Sequence, residues 1–146
     1  MFYTIGEMAR KLNVAPSTLR YYDKEGLLPF VERSSGGIRM FKDEDMEWLR
    51  LLGCLKKAGM PLKEIRDFME CSRQGDATID RRLAIIERQR RSVLDQQKQL
   101  EETLLMLDYK RWYYQTALEA GSFAVHDTLP PDQIPERFRL LKEKKK

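Results

Sequence analysis

From Thr78 to Glu119 the chain runs for 42 residues without a glycine or a proline. No other feature limits its fold so tightly, because an unbroken stretch of that length is far longer than any ordinary strand. Within it, residues recur at alternating spacings of four and three: Ile79, Leu83, Ile86, Arg90, Val93, Gln97, Leu100, Leu104, Leu107, Arg111, Tyr114 and Leu118. Nine of these twelve are apolar. A 3.5-residue period of this kind marks the seam of a coiled coil rather than a solvated single helix. At 1.5 Å per residue such a helix spans about 63 Å, too long to fold back on a small domain, and the chain holds no second stretch of comparable length. The seam, with Ile79, Leu83, Ile86, Val93, Leu100, Leu104, Leu107 and Leu118 as its apolar members, is therefore expected to meet the same helix of a second copy. That reading makes the protein a homodimer.

The remaining sequence has room for one compact domain. The chain has 146 residues, of which 42% are hydrophobic and 34% charged, with a net charge of +4. The excess is unevenly spread: residues 1–42 carry seven basic and four acidic side chains, which makes the amino-terminal part the candidate polyanion-facing surface. Cys54 and Cys71 are the only cysteines, too few for a secreted disulfide framework, so a reducing cytoplasm is the expected location. No apolar run approaches the length of a membrane span, and no membrane partner is expected.

Ahead of the long helix, short elements follow in quick succession. Thr4 with Glu7 three residues on forms a capping box for a first helix, whose Ile5, Met8, Ala9 and Leu12 share one face. After the turn "NVA", Pro16 opens a second helix that runs to about Glu25 and stops at Gly26. On that helix Leu19 and Tyr22 face the core, while Ser17, Thr18, Arg20 and Tyr21 spread over the outer surface. "LLPFVERSSGGIRMF" then reads as two extended runs around a glycine turn, with Arg33 and Arg39 flanking it. A hairpin directly after a helix-turn-helix is a wing. A third helix is expected from Asp43 to Gly59 and a fourth behind Pro61, followed by "ECSRQGDA" as a linker. The residues after Gly121 read as an irregular tail that closes with a short helix near Arg137 to Leu141 and a solvated "KEKKK" end.

"TLRYYDKEGLL", the wing ending "GGIRMF" and "LKKAGMPLKEI" together resemble the winged helix-turn-helix of the MerR family of bacterial transcriptional regulators, over Tyr3 to about Met69. Two positions depart from the family pattern: Ala15 stands where Ser or Thr often caps the second helix, and Ile38 where a tyrosine often precedes the second wing arginine. The resemblance implies a mainly α protein with a winged helix-turn-helix over 1–75, a dimerisation helix in an antiparallel coiled coil over 76–120, and a short tail over 121–146. It implies two second helices in successive major grooves of an inverted repeat in promoter DNA, with the wings on flanking backbone. It further implies an effector-controlled change of promoter conformation that lets RNA polymerase engage. Carried onto this chain, Arg20 and Thr18 fall to base edges or their vicinity and Tyr21, Arg33 and Arg39 to phosphates. Thr4 at the first helix's amino end, Ser17 and Gly37 complete the expected interface.

Metal-sensing relatives carry cysteines at the start of the dimer helix and after it; here no cysteine follows Cys71, and His126 is alone in the tail, so no metal site is expected. The tail is too short for an independent ligand domain; Trp112, Tyr113 and Phe123 either line a small pocket or simply pack. "LLGCLKKAG" resembles the cysteine-bearing third helix of relatives that respond to aldehydes or nitrosative stress, which makes Cys54, near Lys56 and Lys57, the candidate thiol for an unknown small-molecule or redox effector in a stress response. The opposed reading is an inert core cysteine. A glycine-rich phosphate loop, a metal triad and a nucleophile close to a histidine are all missing from the sequence, so neither catalytic residues nor a cofactor are expected. A coiled-coil interaction module and an effector-independent architectural DNA binder are the two alternatives.

Overall fold

The computed structural model describes residues 1–143 of the chain; most of the lysine-rich end expected to be solvated lies outside them. The elements in order are β1 (Phe2–Tyr3), α1 (Ile5–Leu12), α2 (Pro16–Lys24), β2 (Glu32–Arg33), β3 (Arg39–Lys42), α3 (Asp45–Lys57), α4 (Leu62–Arg73), a 3-10 turn (Gly75–Thr78), α5 (Ile79–Ala120), α6 (Val125–Thr128), a second 3-10 turn (Pro131–Gln133) and α7 (Glu136–Glu143). The chain forms two compact units, Met1–Ser92 and Val93–Lys146, and α5 runs without a break through the boundary.

In the first unit, α1 opens on the capping box: the Glu7 N–H donates to Thr4 Oγ1 at 3.2 Å and the Thr4 N–H to Glu7 Oε2 at 3.1 Å. It ends at Asn13 in the left-handed region, φ 56°. The tight turn that follows delivers Pro16 to the first position of α2, whose cap residue Ala15 supplies no side-chain bond. Gly26 at φ 71° stops α2, a conformation that other residues adopt only with strain. Met8, Ala9, Leu19, Tyr22, Leu27, Leu28, Phe41, Leu52 and Ile65 are buried in one cluster, joined by Ile85 of α5.

The wing is a β2–β3 hairpin with Arg33 opposite Arg39 and Glu32 opposite Met40. Its turn is closed by the Ser34 N–H donating to Ile38 O at 2.8 Å, with Gly37 at φ 79°. The sheet has a third strand that the sequence did not disclose: β1 pairs antiparallel with β3 through Phe2 opposite Lys42 and Tyr3 opposite Phe41. A two-residue strand is too short to show an alternating pattern.

Three boundaries differ from expectation. The third helix begins at Asp45 rather than Asp43, because the buried Asp45 carboxylate accepts the Lys42 N–H at 2.8 Å and holds the preceding residues in a turn. Burial pushes that carboxyl up from its ordinary value, against the opposing effect of the Lys42 bond. The segment Glu70–Ala77 is not a linker: α4 continues to Arg73 with Cys71 and Ser72 buried, Ser72 Oγ donating to Phe68 O at 2.8 Å. The compact first unit also reaches past residue 75 into α5, whose Arg88 pairs with Glu64 at 3.3 Å.

In the second unit the tail is more ordered than its composition implies. Ile134 and Phe138 are buried on Tyr109, with Leu105, Trp112, Tyr113, Leu129 and Leu141 packed around them. Phe138 meets the Tyr109 ring edge-on at 5.6 Å between centroids, a favoured aromatic geometry. Trp112 and Tyr113 thus take the packing role, whereas Phe123 is 53% exposed.

Replacing Ala15 by Ser supplies the missing cap, since its hydroxyl can accept from the Ser17 or Thr18 N–H. Urea denaturation is expected to show Ala15→Ser more stable than wild type by about 1 kcal/mol.

Candidate nucleic-acid interface

The second helix presents two faces by simple periodicity. Leu19 is 1% exposed and Tyr22 8%, and burial raises the Tyr22 hydroxyl pKa, with the neighbouring Tyr21 adding to the shift. Turned by one residue, Arg20 is exposed and Tyr21 is 39% exposed. Among the described residues Arg20 has no ion-pair or hydrogen-bond partner for its guanidinium, so its fork of donors stands open toward solvent. Ser17 lies exposed and Thr18 half-buried on the first turn of the same helix. Thr4 is exposed at the start of α1.

The wing is tied to this helix by one carboxylate. Asp23 on α2 pairs with Arg33 at 3.6 Å and closely with Arg39. Arg33 also donates to Gly37 O at 2.9 Å across the wing turn, yet its side chain is still 52% exposed. Arg39 differs from the expectation that it faces phosphate. Its side chain is only 20% exposed and donates to Val31 O at 2.8 Å and Leu28 O at 3.5 Å, so the guanidinium braces the wing from inside. The reason is position: Arg39 starts β3 opposite the loop Leu27–Val31, whose buried leucines leave carbonyls that need a donor. Two arginines against one carboxylate leave the trio with one uncompensated positive charge.

A further residue joins this surface from a distant stretch of sequence. Lys56 of α3 places Nζ 5.4 Å from the Tyr21 ring centroid, a cation–π arrangement that adds positive charge beside the outward tyrosine. In the sequence Lys56 stood out only as a neighbour of Cys54, and the fold alone brings it to α2.

The two cysteines part company. Cys54 is exposed on α3, and Cys71 is buried at 2% exposure. Among the described residues no group of His, Cys, Asp and Glu is placed to hold a metal ion. His126 instead stacks on Tyr113, with centroids 3.7 Å apart, and its Nε2 lies 2.9 Å from Tyr113 O as donor. No helix among the described residues is long and apolar enough to cross a membrane.

Along α5 the apolar seam is uncovered. Ile79, Leu83, Ile86, Val93, Leu100, Leu104, Leu107, Tyr114 and Leu118 are all exposed, Leu118 at 82%. Charge is polarised along the same helix, with five basic and two acidic residues in 79–92 against three and five in 93–120.

Comparison with known proteins agrees with this arrangement. Residues 3–71 match the family model described as MerR HTH family regulatory protein, and residues 46–109 match the model described as MerR, DNA binding. An uncharacterized HTH-type transcriptional regulator of Haemophilus influenzae is 47% identical over 93% of this chain and 98% of its own length. The chain belongs to the MerR family. It is a DNA-binding transcriptional regulator of that family, with a winged helix-turn-helix and a mainly α fold. Among solved structures, HiNmlR, a MerR family regulator lacking the sensor domain and bound to promoter DNA, is 46% identical with a TM-score of 0.64, covering 86% of this chain and 99% of its own. A MerR family transcriptional regulator from Bacillus thuringiensis is 39% identical with a TM-score of 0.63, over 75% of this chain and 96% of its own. The relatives are regulators, and none of these names describes an enzyme.

The exposure difference between the two thiols of this MerR-family protein has a direct readout. Titration of the native protein with a chromogenic thiol reagent is expected to show one fast-reacting cysteine per chain. That fast phase should vanish in Cys54→Ser and persist in Cys71→Ser.

Proposed function

We propose that the protein binds an inverted-repeat promoter operator as a homodimer and alters the conformation of that promoter in response to an effector. The single observation that carries this reading is the outward pair Arg20 and Tyr21 on α2, beside a wing held to the same helix by Asp23. Arg20 and Thr18 read base edges or their immediate surroundings, because a free guanidinium fork suits a guanine edge in the major groove. Tyr21, Arg33 and Lys56 contact phosphate, and the Thr4 end of α1 adds a backbone N–H. Ser17 lies in the same contact, and Gly37 shapes the wing turn. Arg39 acts indirectly by fixing the wing.

The uncovered α5 seam supports pairing of two copies, since a row of exposed leucines this long is costly in water. The opposite net charges of its two halves favour the antiparallel arrangement, which sets the basic end of one helix beside the acidic end of the other. RNA polymerase is the partner at the promoter. Cys54 is the effector-sensing thiol, a role supported by its exposure and by the adjacent Lys56 and Lys57.

Two measurements test the reading. In a salt-titrated gel shift on the operator found by footprinting the protein's own upstream region, Arg20→Ala should lose specific binding and retain binding to random duplex. Arg33→Ala should weaken binding on any duplex and reduce the salt slope by about one. Wild-type affinity in both variants would defeat the assignment. Light scattering should report a dimer for wild type, and the double substitution Leu100→Glu, Leu107→Glu should yield monomers that no longer protect the operator.

A further inference from the structure

One polar side chain of α5 is buried against the end of α3. Gln89 of α5 is 8% exposed, and its Nε2 donates to Ala58 O at 2.8 Å. It belongs to a stripe that starts at Thr78, the last residue of the 3-10 turn, and continues on α5 with Arg82, Ile85 and Gln89, spaced four, three and four residues apart. Ile85 is buried in the same cluster as Leu55 and Met60. Arg82 donates to Gly75 O at 2.8 Å. The stripe is offset by one residue, or about 100° around the helix, from the exposed seam of Ile79, Leu83 and Ile86. The first turns of α5 thus meet the winged domain with one face and leave the neighbouring face open.

Gln89 differs from its neighbours in what it grips. Ala58 is the C-cap of α3, and its own N–H donates to Cys54 O at 2.9 Å. The amide therefore holds the last turn of α3, the turn that carries Cys54. A hydrophobic contact at this place is non-directional, and the helices can slide over it; a hydrogen bond to one carbonyl narrows the angular and axial range. Desolvating an amide costs free energy that a leucine would not, so the bond is the reason for a glutamine here.

We infer that Gln89 is a positioning residue that sets the direction in which α5 leaves the winged domain, and through it the separation of the two recognition helices in the dimer. This rests on the reading that two copies bind an inverted repeat through paired α5 helices. The residue touches no DNA. Its function is to give the regulator a fixed half-site spacing, so that operators with altered spacing are rejected.

The test separates spacing from affinity. Binding of wild type, Gln89→Leu and Gln89→Met is measured on an isolated half-site, on the footprinted operator, and on operators with one base pair inserted or removed between half-sites. Melting temperature and light scattering are recorded for each protein. Both variants should stay dimeric and bind the half-site within about twofold of wild type, while the preference for the natural spacing over the altered ones drops by about tenfold. Methionine keeps the length of the side chain and guards against a simple packing defect. An unchanged spacing preference in both variants overturns the inference. So does a parallel fall in half-site affinity, operator affinity and melting temperature, which would mean that Gln89 only holds the fold. A wild-type protein that is monomeric, or indifferent to spacing, would instead bring down the dimeric-operator reading on which the inference stands.

Discussion

Burial of Leu19 and Tyr22 in one cluster with Met8, Ala9 and Phe41 is the constraint on which the outward face of α2 depends. Once those two side chains are committed to the core, helical geometry leaves Arg20 and Tyr21 nowhere to go except outward. The tight turn at Asn13 and the stop at Gly26 keep α2 short enough that its whole length serves this division. Nothing else on the surface needs to be arranged for the arginine fork to be free; its availability is a by-product of packing.

Electrostatics then decide which basic residues are spent on structure and which are left for a polyanion. Asp23 draws both wing arginines toward α2, but the two respond differently because their surroundings differ. Arg39 starts a strand beside a loop with carbonyls to satisfy, so both of its terminal guanidinium nitrogens are engaged internally. Arg33 lies on the outer strand of the wing and keeps half its surface in water. Lys56 shows the reverse case, a residue distant in sequence that the fold brings beside Tyr21 on the basic face. A bare count of arginines and lysines would therefore misjudge the site in both directions.

The long helix carries the same lesson of adjoining faces. One stripe, from Thr78 to Gln89, is closed by the winged domain; another, from Ile79 to Leu118, is open along its whole length. A heptad pattern announces only that a seam exists. That the first turns of α5 are also part of the first domain's core depends on Ile85 and Gln89, which have no periodic signature of their own because the second is polar.

Residue pattern alone was enough for the capping box at Thr4, the proline start and glycine stop of α2, the wing around Gly37 and the 3.5-residue seam, since each arises from interactions within a few positions along the chain. Those local rules do not reach across the fold. The two-residue strand β1, the inward turn of Arg39, the arrival of Lys56 at Tyr21 and the folding of the tail onto Tyr109 come from contacts between residues that are not neighbours in sequence. In each of these a buried polar group needed a partner, or an apolar ring needed cover, and only the tertiary arrangement could supply it.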